Sequence, residues 1–170
     1  MNREPLFDNR GYFERLYCID DLKSVLKNKK IEQINHSLTK KKGAVRGLHF
    51  QSPPFSEVKM VSCIKGEVWD IAIDIRKNSP TFLRYHAEIL TATNNKTLLI
   101  PEGFAHGFQT LTADCEMLYF HTQKFNKEFD SGLNILDPLL NIKWPIEISE
   151  ISDRDRSHNM LNQLFNGIVI

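Results

Sequence analysis

Short apolar segments separated by turn-forming residues recur along most of this chain. The clearest of these segments are residues 58–64, 68–75, 98–100 and 117–120. Turn formers lie between them at Lys65-Gly66, Asn78-Ser79-Pro80 and Asn94-Asn95. Segments of this length suit β-strands better than helices. One helix is indicated near residues 20–26, where Asp20 and Asp21 would supply an acidic first turn before an apolar stripe. Many strands with few helices predict an all-β sandwich or barrel.

The two segments around Lys65-Gly66 can be interpreted residue by residue. With a two-residue turn they would form a β-hairpin in which Val61 faces Asp70. Side chains alternate along a strand, so one face would carry Lys59, Val61, Cys63, Val68, Asp70, Ala72 and Asp74. The other face would carry Met60, Trp69, Ile71, Ile73 and Ile75 and is continuous core. The first face combines an ammonium and two carboxylates with small apolar groups, which fits either a functional pocket or a solvated surface.

Length, charge and cysteine usage restrict the class of protein. The 170 residues suit one domain, assigned here to residues 1–170. A net charge of +1 gives no reason to expect a nucleic acid or an anionic membrane as partner. We find no signal peptide in the first residues and no run long enough to span a membrane. Cys18, Cys63 and Cys115 are odd in number and lack a CxxC pair, so we expect free thiols in the cytoplasm.

Residue spacing gives no pointer to a metal or an organic cofactor. No two of the six histidines lie two or four residues apart, the spacings that place imidazoles on one face of a strand or helix. The sequence also lacks the GxGxxG and GxxxxGK[ST] fingerprints and a serine nucleophile elbow. We therefore expect no metal and no cofactor, with the chemistry left to side chains.

Polar residues are concentrated within apolar surroundings in three segments. These segments are residues 46–51, 101–108 and 152–155. In each of the first two, a lone histidine (His49 or His106) is flanked by aromatic residues and glycine, which lets backbone or a ligand approach closely. Each histidine could instead be a core residue whose ring nitrogens are bonded to backbone.

Together these segments resemble the dTDP-4-dehydrorhamnose 3,5-epimerase family of the cupin superfamily. The matching motifs, in chain order, are residues 8–13, 33–37, 46–51, Lys59, 66–76, 79–82, 101–108, Tyr119, 137–138, 144–145 and 152–155. The resemblance covers nearly the whole chain. It implies an all-β, cupin-type double-stranded β-helix, or jelly-roll barrel, with a few short helices. It also implies a homodimer.

The resemblance further implies an epimerase that inverts carbon 3, carbon 5 or both in a nucleoside-diphosphate 4-keto-6-deoxyhexose, without metal or cofactor. Such an enzyme would serve deoxysugar biosynthesis for a surface polysaccharide or a glycosylated product. By similarity, His49 matches the general base, and Tyr119 matches the proton donor on the opposite face of the sugar. Lys59 matches the cation near the developing enolate, and Asp155 matches the carboxylate that orients the base. Substrate-contact positions correspond to Arg10, Gln33, Asn35, Arg46, His106 and Arg154.

Three departures from the family pattern bear on specificity and assembly. Arg15 stands where many members carry a glutamate near the nucleotide. Lys124-Phe125 replaces a second tyrosine near the sugar, so we expect one carbon to exchange its hydrogen faster than the other. Only nine residues precede Arg10, so we expect a shortened first strand and an altered dimer.

Three alternatives stay open from the sequence. One is a mono-epimerase of the same family, acting at carbon 3 or carbon 5 only. Another is a catalytically silent cupin that binds a sugar nucleotide. The presence of His49, Lys59, Tyr119 and Asp155 together favours the enzyme, because binding alone needs cations but no acid–base pair. The third is a metal-dependent cupin oxygenase or isomerase, which the histidine spacing disfavours.

Overall fold

The structure is a computed structural model that describes residues 1–162 and 164–170. Its strands and helices, in chain order, are β1 (Leu6–Asp8), β2 (Gly11–Phe13), α1 (Lys23–Leu26), β3 (Gln33–Thr39), β4 (Ala44–Gln51), β5 (Lys59–Lys65), β6 (Glu67–Asp74), β7 (Tyr85–Thr91), β8 (Thr97–Ile100), β9 (Phe104–Thr110), β10 (Cys115–His121), β11 (Asp130–Gly132), β12 (Glu150–Ile151) and α2 (Asp153–Ser157). The predicted all-β class is confirmed. Among the described residues, no helix is long and apolar enough to cross a membrane.

The strands form two facing sheets and one separate hairpin. The smaller barrel sheet has the order β3-β10-β5-β8, and the larger has the order β11-β4-β9-β6-β7 with β12 added beside β4. All pairings within these sheets are antiparallel except that of β12 with β4. Val61 and Met117 from the smaller sheet pack with Val68 and Phe108 from the larger one in a buried cluster between them. This arrangement confirms the predicted jelly-roll barrel.

The predicted hairpin around Lys65-Gly66 is wrong. Strand β5 pairs with β10 and β8, whereas β6 pairs with β7 and β9. The chain therefore crosses from one sheet to the other at Gly66. Gly66 has a φ of 79°, and a Cβ there would lie 2.8 Å from Cys115 Sγ, so glycine fits this tight crossing. A two-residue turn and a crossing look alike in sequence because both favour glycine between two apolar segments.

The predicted alternation of side chains nevertheless holds for most positions. Val61, Cys63, Val68 and Ala72 share the cluster inside the barrel. Ile71, Ile73 and Ile75 lie in a second cluster, which the partly buried Trp69 and Trp144 pack against. Met60 departs from its predicted group, because it packs with Leu22, Leu26, Val58 and Phe120 in a third cluster. Helix α1 supplies part of this third cluster and is shorter than predicted, with both aspartates preceding it.

Asp74, predicted on the same face as Lys59, binds a loop instead. Its carboxylate accepts hydrogen bonds from Arg76 Nε at 2.9 Å, Ser79 Oγ at 2.5 Å and Thr81 Oγ1 at 2.6 Å. Burial alone would raise the pKa of Asp74, but these donors hold it far below its usual value. The side chain therefore anchors the turn that follows β6.

Candidate active site

A cavity of about 870 Å³ opens between the two barrel sheets. This size is typical of a pocket for a small organic ligand. Of the ten site residues predicted from the sequence, eight line it: Asn35, Arg46, His49, Lys59, His106, Tyr119, Arg154 and Asp155. Strands β3, β5 and β10 contribute one wall, and strands β4 and β9 contribute the other.

His49 and Asp155 form a hydrogen-bonded pair on one side of the cavity. Strand β4 holds His49 between β11 and β9, opposite Gly132 and His106. Its Nε2 lies 2.6 Å from Asp155 Oδ1. A carboxylate that accepts this bond fixes the proton on Nε2. The other ring nitrogen, Nδ1, is then the one able to accept a proton, and 31% of the side chain is exposed.

Asp155 is held rigidly at the start of α2. Ser152 caps the helix by accepting a hydrogen bond from the Asp155 backbone N–H at 3.1 Å. The second carboxylate oxygen, Oδ2, accepts a 3.2 Å bond from the backbone N–H of Gly47. Burial opposes ionisation, but the bond and charge of His49 and the Gly47 N–H hold the pKa of Asp155 below its usual value. Asp155 therefore stays an acceptor that orients the histidine.

Tyr119 approaches the cavity from the opposite sheet. It lies on β10, and its hydroxyl shares a 2.8 Å hydrogen bond with Ser37 Oγ on β3. Burial raises the pKa of Tyr119 well above its usual value. The hydroxyl is consequently protonated across the physiological range and can start a reaction as a donor. A proton acceptor and a proton donor thus face one cavity from two different sheets.

Lys59 lies on the same wall as Tyr119 and is almost buried. Its Nζ is 3.2 Å from Glu57 Oε1 and donates a 3.5 Å bond to the carbonyl oxygen of His49. Glu57 also accepts a 2.8 Å bond from Nδ1 of His121, which lines the cavity beside Tyr119. Lys59 is therefore a cation held in place near His49.

His106 is hydrogen-bonded to a side chain. The alternative interpretation of His106 as a core residue bonded to backbone is therefore wrong. Its Nε2 lies 2.9 Å and 3.0 Å from the two oxygens of Asp70, which is fully buried. Burial raises the pKa of Asp70 despite the opposing charges of His106 and Lys59. Because Lys59 lines the cavity and Asp70 is inaccessible to water behind His106, the face that carries them is not a solvated surface.

The remaining predicted contact residues differ in their placement. Arg46 donates from Nε to Thr39 Oγ1 at 2.8 Å, and Arg154 donates from Nη2 to Asp130 Oδ2 at 2.5 Å. Gln33 lies next to the cavity and donates to Asn35 Oδ1 at 3.1 Å. Arg10 lies away from the cavity on the β1–β2 hairpin, where it pairs with Asp8.

Sequence reasoning missed Ser37, Glu57 and His121 as individual site residues. Alternation along strands contained a signal for two of them: His121 is two residues after Tyr119, and Glu57 is two residues before Lys59. Their contact depends on the pairing of Lys59 with His121 across β5 and β10. That register is set by the tertiary fold, so the local sequence did not indicate the contact.

His49, Asp155 and His158 also place their possible metal-ligand atoms within 4.8 Å of one another. Two donors bound to one zinc ion at about 2.1 Å would lie roughly 3.4 Å apart. The 2.6 Å separation of His49 Nε2 and Asp155 Oδ1 is shorter and fits a shared proton better than a shared metal ion. We therefore interpret this cluster as an acid–base pair with His158 packed nearby.

Comparison with known proteins gives a consistent result. The family model described as dTDP-4-dehydrorhamnose 3,5-epimerase matches residues 1–163. The dTDP-4-dehydrorhamnose 3,5-epimerase of Shigella flexneri is 40% identical over 150 residues, covering 87% of this chain and 82% of that protein.

Two solved structures are similar along almost the whole chain. The dTDP-4-dehydrorhamnose 3,5-epimerase of Bacillus anthracis, with TDP and PPi bound, has a TM-score of 0.90 and 35% identity, covering 94% of this chain and 91% of that one. The dTDP-6-deoxy-D-glucose-3,5-epimerase of Legionella pneumophila, in complex with dTDP-4-keto-L-rhamnose, has a TM-score of 0.89 and 35% identity, covering 96% and 87%.

Proposed function

The chain belongs to the dTDP-4-dehydrorhamnose 3,5-epimerase family, and we propose that it inverts carbon 3 and carbon 5 of a nucleoside-diphosphate 4-keto-6-deoxyhexose. The observation that carries this proposal is the placement of the His49–Asp155 pair and Tyr119 on opposite walls of one cavity. Inversion at carbon requires removal of a proton from one face and its return from the other. Residues 1–170 would act as a single epimerase domain in deoxysugar biosynthesis, supplying a surface polysaccharide or a glycosylated product.

His49 would perform the first proton transfer. The 4-ketone acidifies the C–H bonds on both neighbouring carbons because the resulting carbanion is delocalised onto the keto oxygen. Nδ1 of His49 takes the proton, and the ionised Asp155 stabilises the imidazolium that forms. Lys59 stabilises the negative charge that develops on the keto oxygen, as donors in an oxyanion hole do.

Tyr119 would complete the inversion. Its O–H donates a proton to the carbanion from the opposite wall, the C–H bond re-forms with inverted configuration, and a tyrosinate remains. The imidazolium and the tyrosinate then return to their starting states by exchanging protons with solvent. Arg46 and Arg154 line the cavity with guanidinium groups, which suit a diphosphate.

Deuterium exchange tests the proposed reaction directly. Incubating the protein with dTDP-4-keto-L-rhamnose in deuterium oxide should replace the hydrogens at carbons 3 and 5, as followed by proton NMR. The Lys124 side chain is exposed and the cavity lining does not include it, so the hydroxyl expected from a second tyrosine is missing. We therefore expect unequal exchange rates at the two carbons. Exchange at neither carbon would refute the proposed function, and equal initial rates would refute the role given to Lys124.

A homodimer would explain the β1–β2 hairpin. Leu6, Phe7, Tyr12 and Phe13 are between 63% and 74% exposed, and the hairpin pairs with neither barrel sheet. An isolated two-stranded hairpin of this kind is marginally stable in water. Strand β3 is an edge strand, and its Ile34 and Leu38 are also exposed. A second copy that covers these residues would remove their apolar surface from water.

Replacing Phe7 with aspartate tests this assembly. A charge in a buried apolar interface is strongly unfavourable, so we expect the variant to sediment as a monomer where the unmodified protein sediments as a dimer. Leu139 is 51% exposed and lies outside the hairpin, so Leu139→Asp is the matched control. A monomeric unmodified protein, or dissociation by both variants alike, would contradict the proposed interface.

We also propose a cytoplasmic location. The supporting observation is that Cys18, Cys63 and Cys115 are all free, with the last two buried. Burial raises the pKa of the Cys63 thiol to about 12, which keeps it protonated and unreactive. Free thiols in this number are typical of reducing compartments.

A further inference from the structure

A continuous chain of hydrogen-bonded side chains runs along one wall of the cavity. It joins the substrate-contact amides to the cavity lysine, and its members are Gln33, Asn35, His121, Glu57 and Lys59. Three of them lie side by side on neighbouring strands, because Gln33 pairs with His121 and His121 pairs with Lys59. We call this set the polar chain.

The buried end of the polar chain is an ionised carboxylate. The side chains of Glu57, Lys59 and His121 are only 7%, 10% and 12% exposed. Burial alone would raise the pKa of Glu57, but the hydrogen bond from His121 and the charge of Lys59 outweigh it and lower that pKa. An ionised carboxylate can only accept hydrogen bonds. Nδ1 of His121, 2.8 Å from Glu57 Oε2, must therefore carry a proton.

The other ring nitrogen sets the orientation of the first amide. Asn35 Nδ2 lies 3.3 Å from His121 Nε2. In a neutral ring with its proton on Nδ1, Nε2 is an acceptor, so Asn35 directs its NH₂ group towards the histidine. Asn35 Oδ1 then accepts a 3.1 Å bond from Gln33 Nε2.

A backbone N–H group fixes the orientation of Gln33 at the other end of the polar chain. Gln33 Oε1 accepts a 2.9 Å bond from the backbone N–H of Phe125. The hydrogen bonds therefore all run in one direction, from Phe125 through Gln33, Asn35 and His121 to the carboxylate. Rotating either amide by 180° would bring donor against donor or acceptor against acceptor, which costs the bond and leaves a polar group unsatisfied.

We propose that His121 is a positioning residue that transmits the polarity of Glu57 to Asn35, so that Asn35 offers the substrate a hydrogen-bond donor and not an acceptor. Gln33 takes one of the two acceptor positions of the amide oxygen and turns that oxygen towards itself, and one N–H of Asn35 Nδ2 remains available in the cavity. The substrate atom opposite Asn35 is then an oxygen acceptor. This inference rests on the proposed function for the identity of the substrate, but not for the direction of the polar chain.

The direction can be measured without any substrate. Two-bond ¹H–¹⁵N correlation spectra of the ¹⁵N-labelled protein distinguish the two neutral histidine tautomers and the doubly protonated ring. We expect His121 to carry its proton on Nδ1 at pH 8. A proton on Nε2, or on both nitrogens, would overturn the inference. Because the spectrum needs no turnover, its failure is distinct from an absence of epimerase activity.

Two substitutions separate positioning from packing. His121→Phe keeps a ring that can stack on Tyr119, whose centroid lies 6.2 Å from that of His121, but it removes both hydrogen bonds. His121→Gln keeps one donor and one acceptor. With dTDP-4-keto-L-rhamnose, we expect His121→Phe to raise KM about tenfold, as loss of one oriented hydrogen bond would. We expect kcat to change less and His121→Gln to restore most of the affinity.

A double-mutant cycle tests whether the effect passes through Asn35. If it does, His121→Phe should change KM by less than about twofold in an Asn35→Ala background. An equal rise in KM in both backgrounds, or a fall in kcat with KM unchanged, would refute the transmission. Thermal unfolding of each variant checks the fold. Should the phenylalanine variant not fold, the tautomer measurement and the glutamine variant still decide the question.

Discussion

Replacing His49 with asparagine will slow deuterium exchange at both sugar carbons by about 10²–10⁴-fold, the range typical for loss of a general base. Asparagine is similar in size to the histidine ring but has no basic nitrogen. Asp155 would remain in place, because Ser152 and Gly47 bond it independently of His49. We expect nucleotide binding, measured by calorimetry with TDP, to be nearly unchanged.

A matched control is available on the same large sheet. His86 is exposed on β7 and is not among the cavity residues. His86→Asn should therefore exchange both hydrogens at the unmodified rate. Exchange at that rate in His49→Asn as well would remove His49 from the mechanism.

Tyr119→Phe should separate proton removal from inversion. The variant keeps the ring and its packing but lacks the hydroxyl that Ser37 holds. His49 would still remove and return a proton on its own face, so we expect deuterium to be incorporated with retained configuration. We expect inversion to slow by about 10²-fold or more, as for loss of a general acid. Proton NMR reports incorporation and configuration in the same sample.

Tyr85→Phe is the control for Tyr119→Phe. Tyr85 packs against Trp69 away from the cavity, so loss of its hydroxyl should leave the reaction unchanged. Inverted product at the unmodified rate from Tyr119→Phe would mean that another group donates the proton. Lys59 would be the first to examine, since its ammonium lies on the same wall of the cavity as Tyr119, whereas Lys124 does not line the cavity.

The sequence predicted which face of a strand each side chain lies on, but it did not predict which strands pair with each other. Alternation correctly separated Ile71 and Ile73 from Val68 and Ala72, because it depends only on the period of an extended chain. The turn signal at Lys65-Gly66 assigned the wrong neighbour to β5. Whether β5 pairs with β6 or the chain crosses to the other sheet at Gly66 depends on the pairings that the other strands offer.

The same distinction holds within the candidate site. The segment around His49 was singled out by its glycine and aromatic neighbours, whereas Tyr119 was indicated only by the resemblance to the family. The Glu57–His121 pair was not predicted, because its two members are 64 residues apart and meet only through the register of β5 and β10. Arg10 was predicted beside the substrate, but within one chain its hairpin pairs with neither barrel sheet and Arg10 does not line the cavity.

Packing of the barrel core sets how far apart His49 and Tyr119 lie. His49 and Tyr119 belong to different sheets, and between those sheets lies the cluster that contains Phe108 and Met117. The width of the gap that a sugar ring must fit therefore depends on how the core side chains pack. Like any close-packed core, it would respond to the gain or loss of a single methylene group. Substitutions such as Phe108→Leu would therefore alter this gap, although no polar residue had changed. Regiochemistry in such a barrel can evolve through residues that never touch the substrate's reacting atoms.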